Sequence, residues 1–384
     1  MINYGKQHIT DQDIASVVEV LKSDWLTQGP KVPTFEKSLS SYTGAKYVSL
    51  VNSATSALHL ACMALGLTKG DWLWTSPISF VASSNCGLYC SANIDFIDIN
   101  LDTYNIDIDA LNEKLTIAES IGNLPKVVVV VHMCGSPADT KAIHELSKKY
   151  NFKIIEDASH AVGAKYRGLP VGSCLYSDIT IFSFHPVKII TSAEGGAILT
   201  NSEYIDHQLK SYRSHGITKD DVNFKNPSEG PWYYEQHSLG FNYRMNDIQA
   251  ALGLSQFRRV DSITSRRNDL ATKYKEILKN LPIKFQNVSD DSYSSYHLLS
   301  LRIISEEVKN NKRYFFENLL KLGVGVNLHY IPIYRQPYYS RFGFEYKNFP
   351  NAEIYYQEAI TLPLYPELSS KDIKYICKSF CSLF

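Results

Sequence analysis

The chain carries no excess charge of either sign: 39 Lys and Arg stand against 39 Asp and Glu over 384 residues. A protein that coats a polyanion needs a broad basic surface, so this balance argues against nucleic acid as a partner. One small anionic ligand held in a local pocket is compatible with it. Long apolar runs are missing as well. The longest candidate, Val127–Val131, falls far short of the roughly 20 residues that span a bilayer, so no membrane partner is expected. The start, Met1 to His8, has no apolar stretch of the kind a secretory signal carries, and a cytoplasmic location is expected. Cysteine is scarce and odd in number. The seven, at 62, 86, 90, 134, 174, 377 and 381, sit mostly in apolar stretches, with no two pairs at zinc-finger spacing. They read as small buried hydrophobes in a reducing compartment, and no metal is expected.

What is present is an ordinary globular composition, 44% hydrophobic and 20% charged, enough for a sizeable core and too unbiased for disorder. The length suggests two compact regions. Residues 11–22 place Ile14, Val17, Val18 and Leu21 on one helical face, and a second amphipathic helix runs from about Pro33 to Tyr42. Strand candidates follow at 47–51, 71–76, 93–99, 126–133, 152–157 and 178–184, most of them alternating with helical patterns such as 137–150. That alternation predicts a buried, largely parallel sheet with helices on both faces. A hairpin signal at 194–201 closes the region, and 218–238 reads as an exposed loop or arm. A long helix at 247–260 is expected to bridge to a smaller α+β region, with strands near 296–304 and 323–329 and helices near 308–321 and 370–383.

In an open parallel sheet functional groups collect where strands end. After the 47–51 strand, Asn52-Ser53-Ala54-Thr55-Ser56 opens a helix; it serves either as an anion site or as an ordinary N-cap. It contains no glycine, which speaks against a Gly-x-Gly-x-x-Gly dinucleotide loop and hence a nicotinamide enzyme. Asp157 ends the 152–157 strand and needs a cationic or donor partner, or else caps a helix. Lys188, in Ser183-Phe184-His185-Pro186-Val187-Lys188, follows an apolar run and precedes a glycine-rich turn. A lysine so placed loses hydration and becomes a competent amine nucleophile. A phosphate-type site, then an acid at a strand end, then a lysine 31 positions later is the order pyridoxal phosphate needs: an anion cradle, a carboxylate for the ring nitrogen and an amine. Phe80, just beyond the 71–76 strand, is either the ring's stacking partner or a core phenylalanine.

At this point the chain resembles the DegT/DnrJ/EryC1/StrS sugar aminotransferases, nearly end to end. The resemblance rests on Leu26-Thr27-Gln28-Gly29, Asn52 to Leu58, Glu156-Asp157-Ala158-Ser159-His160-Ala161, Ser183 to Lys188, Gly240 to Asn246 and His329-Tyr330-Ile331-Pro332. It implies an α/β protein of pyridoxal-phosphate-dependent transferase fold type I, like aspartate aminotransferase. A large cofactor domain would span 12–250 and a small one 251–384, with residues 1–11 packing near the latter. It implies that Lys188 joins the cofactor through an imine, Asp157 pairs with the ring nitrogen, His160 lies against the cofactor and Phe80 stacks on it. Ala54, Thr55 and Ser183 would cradle the phosphate, and Asn242 would reach in from the second subunit of a homodimer with shared sites. His185 is left with the smaller role of shaping the turn before Lys188. Ala54 and Ala193, where many relatives have glycine, resemble the branch of the family that aminates UDP-linked 4-keto-6-deoxy N-acetyl sugars with L-glutamate as donor. In that branch Tyr4, Asp24, Trp25, Leu26, Thr27, His329, Tyr330, Ile331 and Pro332 are similar to segments that touch the nucleotide-sugar. Dehydratases of the family replace the lysine, so Lys188 argues for transamination.

Overall fold

Five consecutive valines leave a strand with no polar face, and Val127–Val131 (β4) is buried at every position inside a seven-stranded sheet. The computed structural model describes residues 1–305 and 312–384 of the chain. The other strands of this sheet are β1 (Tyr47–Val51), β2 (Trp72–Thr75), β3 (Asn93–Phe96), β5 (Lys153–Asp157), β6 (Ile179–Ser183) and β7 (Gly196–Thr200), in the order β1-β7-β6-β5-β4-β2-β3. Neighbours pair in parallel except at β7, which runs against both β6 and β1. Side chains alternate between the two faces. Val127, Val129, Ile155 and Ile181 pack under α3 (Ala54–Ala64), which follows α1 (Asp11–Leu21) and α2 (Lys31–Thr43) in the chain, whereas Val128, Val130 and Ile154 pack under Leu111 and Leu115 of Ile108–Ile121 and Ile143 of Thr140–Tyr150. The α/β sheet with helices on both faces is therefore the one the sequence pattern implies.

A second sheet is antiparallel and three-stranded: Ile283–Phe285, Leu299–Ile303 and Ala359–Leu362. Its core takes Leu270, Tyr274 and Leu278 from the helix Val260–Leu278, and Ile373, Ile376 and Phe380 from Ser370–Cys381. The N-terminus is tied here: the Ile2 amide donates to the Gly323 carbonyl (2.8 Å), the Gly325 amide to Ile2 (2.7 Å) and the Leu364 amide to Tyr4 (3.1 Å).

Several expectations need correction. The helix expected over 247–260 ends at Phe257, and a separate helix, Val260–Leu278, carries the chain to the second sheet; the interruption falls at Arg258-Arg259. No strand forms over 323–329 among the described residues; the segment makes only isolated bridges, Ile2 with Val324 and Asn327 with Thr361. Of the helix expected near 308–321, Lys312–Lys321 is present and 308–311 lie outside the described residues. Cys381 is exposed and Cys90 half-buried, so only five of the seven cysteines are buried hydrophobes.

The first helix, α1 (Asp11–Leu21), forms where the sequence pattern places it, with an orientation the pattern does not announce. It exposes Ile14, Val18 and Leu21 and buries Asp13 and Val20. A polar anchor decides its orientation. The Asp13 carboxylate accepts from Ser255 Oγ (2.6 Å), Gln256 Nε2 (2.7 Å) and Arg259 Nη2 (2.6 Å), at and just beyond the end of the helix Asp247–Phe257. Burial works against its charge, yet the Ser255 and Thr10 donors and Arg259 hold its carboxyl below the usual range. Its stabilising contribution is thus complete above the ordinary carboxylate pKa of about 4 and is lost as pH falls below that value. Asp13→Asn should lower the stability at pH 7 by on the order of 2 kcal/mol. Thermal unfolding from pH 7 to 3 should show the gap to wild type closing on the acid side.

Candidate active site

Three strand ends meet at one cavity of about 380 Å³. At one end lies the start of α3. Ser53 caps it, its hydroxyl accepting from the Ser56 amide (3.1 Å), which leaves the first amides of the helix facing outward, a geometry suited to an anion. Gly196 lets this happen. It pairs with Val51 of β1 on one side and Ser183 of β6 on the other, and a Cβ there would stand 2.7 Å from the Ala54 nitrogen and 2.8 Å from the Ser53 carbonyl. Ala54, Thr55 and Ser183 consequently line the same corner of the cavity.

Asp157 ends β5, paired with Val131 of β4 and Ile181 of β6. Its carboxylate is buried and met by serines: Ser83 Oγ donates to Oδ2 (2.6 Å), and Ser159 donates to Oδ1 from its hydroxyl (2.6 Å) and amide (3.2 Å). Lys188 follows β6 on a turn held by the Phe184 amide to Gly195 (2.9 Å) and the Lys188 amide to His185 (2.9 Å). Ala193 in this turn adopts φ 65°, a left-handed conformation that glycine adopts more readily than alanine. The Lys188 side chain is half-buried on the cavity wall. Burial pushes its amine down to about 8, against the pull of Asp157. An amine near this value is partly neutral at physiological pH and able to attack a carbonyl.

Histidines surround it. His160, His297 and His329 line the cavity, with the rings of His160 and His297 4.5 Å apart. All three are held against protonation, first by burial and then by neighbouring cations, Lys188 among them; His329 is pushed down to about 3. His160 Nε2 meets the Tyr330 hydroxyl (3.0 Å), and its buried Nδ1 has no partner among the described residues. Phe80, expected as a stacking ring or a core residue, is 59% exposed and stands on the wall 6.2 Å from the Tyr330 ring.

The structure thus gathers Tyr4, Ala54, Thr55, Phe80 and Asp157 at one cavity, together with His160, Ser183, Lys188, His329 and Tyr330. It does not bring the other expected residues there. Asp24, Trp25, Leu26 and Thr27 are exposed on a loop that Asp247 pins through the Gly29 and Lys31 amides (both 2.8 Å). Ile331 is exposed, Pro332 is buried at the start of a short 3-10 turn, and Asn242 is exposed outside the cavity wall. Four contributors escaped the sequence: Ser83, Ser159, His297 and Asn327. Serines two positions past an acid or in a first helical turn look like caps, and His297 lies on a segment with no motif.

A buried imidazole nitrogen without a partner among the described residues, a helix start stripped of side-chain bulk, a buried carboxyl group and a lysine amine together fit a phosphorylated aromatic aldehyde. The comparisons agree. The DegT/DnrJ/EryC1/StrS aminotransferase family matches residues 7–381, and the chain belongs to it. Campylobacter jejuni UDP-4-amino-4,6-dideoxy-N-acetyl-beta-L-altrosamine transaminases are 37% and 38% identical, covering 100% of this chain and 97% of theirs. Among solved structures, Helicobacter pylori PseC, an aminotransferase of pseudaminic acid biosynthesis, superposes with TM-score 0.90 at 32% identity, over 100% of this chain and 99% of that one. Spr1654 of Streptococcus pneumoniae, in its PMP form, gives TM-score 0.90 at 30% identity over 100% and 99%; it is also solved in a PLP form. The protein is a pyridoxal-phosphate-dependent sugar aminotransferase of fold type I.

Gly196→Ala should displace the start of α3 and weaken cofactor retention, read as lost visible absorbance of the purified protein, with smaller loss in thermal stability. In the apo-protein, an amine-selective reagent such as trinitrobenzenesulfonate should label Lys188 at a rate that rises through pH 8 and levels off above it, as the amine loses its proton. Labelling that tracks the ordinary lysine value near 10.4 would contradict the role of burial.

Proposed function

We propose that the protein transfers the amino group of L-glutamate to C4 of a UDP-4-keto-6-deoxy-N-acetylhexosamine, forming UDP-4-amino-4,6-dideoxy-N-acetyl-β-L-altrosamine, as a cytoplasmic homodimer. What carries this reading is the convergence of Lys188, Asp157 and the start of α3 on one cavity, in a chain covered end to end by relatives named for that sugar. When bound, pyridoxal phosphate supplies an electron-withdrawing aldehyde that takes an amino group from one substrate and returns it to another.

The Ala54 and Thr55 amides and the Ser183 hydroxyl hold the phosphate. Asp157 keeps a proton on the ring nitrogen, an acceptor-only role that asparagine fills poorly. Phe80 stacks on the ring, and His160, fixed by Tyr330, bounds it near Asp157. Lys188 Nζ would hold the cofactor and, when released from it, would take the Cα proton of the donor and later deliver one to C4 of the sugar. Its lowered amine pKa suits both directions.

The residues outside the cavity belong with a second copy. Asn242 is exposed, and the segment just before it in the sequence also exposes Trp232, Tyr234 and Leu239. Such a surface fits burial against another subunit, with Asn242 entering the partner's cavity. The loop Asp24–Thr27, together with Tyr4 and His329–Pro332, forms the nucleotide-sugar side in this reading. Zero net charge is no obstacle, because amides and hydroxyls recognise the phosphates locally.

Purified enzyme with glutamate and UDP-4-keto-6-deoxy-N-acetyl sugars of both C5 configurations should aminate the one leading to the altrosamine product. Amination only of the other epimer would place the enzyme with the legionaminic or bacillosamine type. Lys188→Ala should lower turnover by about 10²-fold or more. Mixing Lys188→Ala with Asn242→Ala chains after unfolding and refolding should restore about a quarter of wild-type sites, since hybrid dimers keep one intact site. No regain of activity would remove the shared-site claim.

A further inference from the structure

Asp157, the acid placed opposite the ring nitrogen in the proposed function, has a polar support of its own. Ser83, in the first turn of the helix Ala82–Tyr89, is fully buried and donates to Asp157 Oδ2 (2.6 Å). Behind it, Ser79 Oγ lies 2.7 Å from Ser83 Oγ, buried but on the cavity wall.

The direction of this chain follows from donor counting. An ionised carboxylate only accepts, and a serine hydroxyl has one proton. Ser83 therefore spends its proton on Asp157 and must accept from Ser79. The relay runs one way, from Ser79 to Ser83 to Asp157. With Ser159 donating twice to Oδ1, the serines on both oxygens fix the plane the carboxylate presents.

We propose that Ser83 is a positioning residue for the transamination: through Asp157, and backed by Ser79, it keeps the cofactor's ring nitrogen protonated. This rests on the reading that Asp157 pairs with that nitrogen. Ser83 touches neither cofactor nor substrate and acts only through the acid. Its removal should therefore alter the electronic state of the ring, which packing alone would not do.

The test reconstitutes wild type, Ser83→Ala, Ser83→Thr, Ser79→Ala and Asp157→Asn with pyridoxal phosphate labelled with 15N in the ring. It reads the ring-nitrogen chemical shift against pH, cofactor affinity by absorbance titration, and fold by circular dichroism. Wild type should show a pyridinium shift throughout. Ser83→Ala should move the shift toward the neutral ring at high pH and weaken cofactor affinity roughly tenfold, the scale of one hydrogen bond to a charged group. Ser83→Thr, which keeps the hydroxyl, should restore both, and Ser79→Ala should move both in the same direction by less. A wild-type titration in Ser83→Ala, with Asp157→Asn clearly altered, would overturn the proposal and leave the role of Asp157 standing. No change in Asp157→Asn would overturn both. Should Ser83→Ala fail to fold, Ser79→Ala carries the test, and a wild-type titration there overturns the relay.

Discussion

The site depends on one constraint: a carboxylate and an amine are delivered from adjoining parallel strands into the same poorly solvated space. Asp157 ends β5 and Lys188 follows β6, whose Ile181 pairs with Asp157. Parallel pairing of these strands puts both groups at the same edge of the sheet, where neither is covered by its own strand. The antiparallel β7 then performs a second task. Its first residue, Gly196, stands between β1 and β6 and is bare enough for the start of α3 to settle against it. The anion corner and the amine are thereby joined through a single strand, and a side chain at Gly196 would separate them.

Burial sets the electrostatics of the cavity. Lys188 loses hydration and its amine falls to about 8, while His160, His297 and His329 stay neutral because they are dry and face that cation. The wall thus carries three imidazoles held against protonation, with the carboxyl groups of Asp157 and Glu194 beside them. Histidines held against protonation compete little with Lys188 for a proton. A reaction that repeatedly moves one proton between carbon atoms benefits from that lack of competition.

Much of this was legible in the sequence. Strand–helix alternation anticipated the sheet, because buried parallel strands must be apolar on both faces, as Val127–Val131 is. The order of Asn52–Ser56, Asp157 and Lys188 identified the cofactor class, because each piece is local: a helix start, a strand end and a turn. What failed was non-local. The outward orientation of the apolar stripe Ile14–Leu21 of α1 has no local signal, since the partners of the buried Asp13 anchor, Ser255, Gln256 and Arg259, lie more than 240 residues away. The helix interruption at Arg258-Arg259 has no proline or glycine to announce it. Ser83 gave no signal, because its meaning comes from the acid it meets 74 residues later. Ser159 was hidden differently: two positions from Asp157, it resembles an ordinary turn residue.

The central claim is that the amine at position 188 holds the cofactor. Borohydride reduction of the holoenzyme, followed by proteolysis and mass mapping of the phosphopyridoxyl peptide, tests it most directly. A single stoichiometric adduct on Lys188, absent from Lys188→Ala, is the expected result. An adduct on another lysine, or a reduced holoenzyme with no covalent label, would contradict the account.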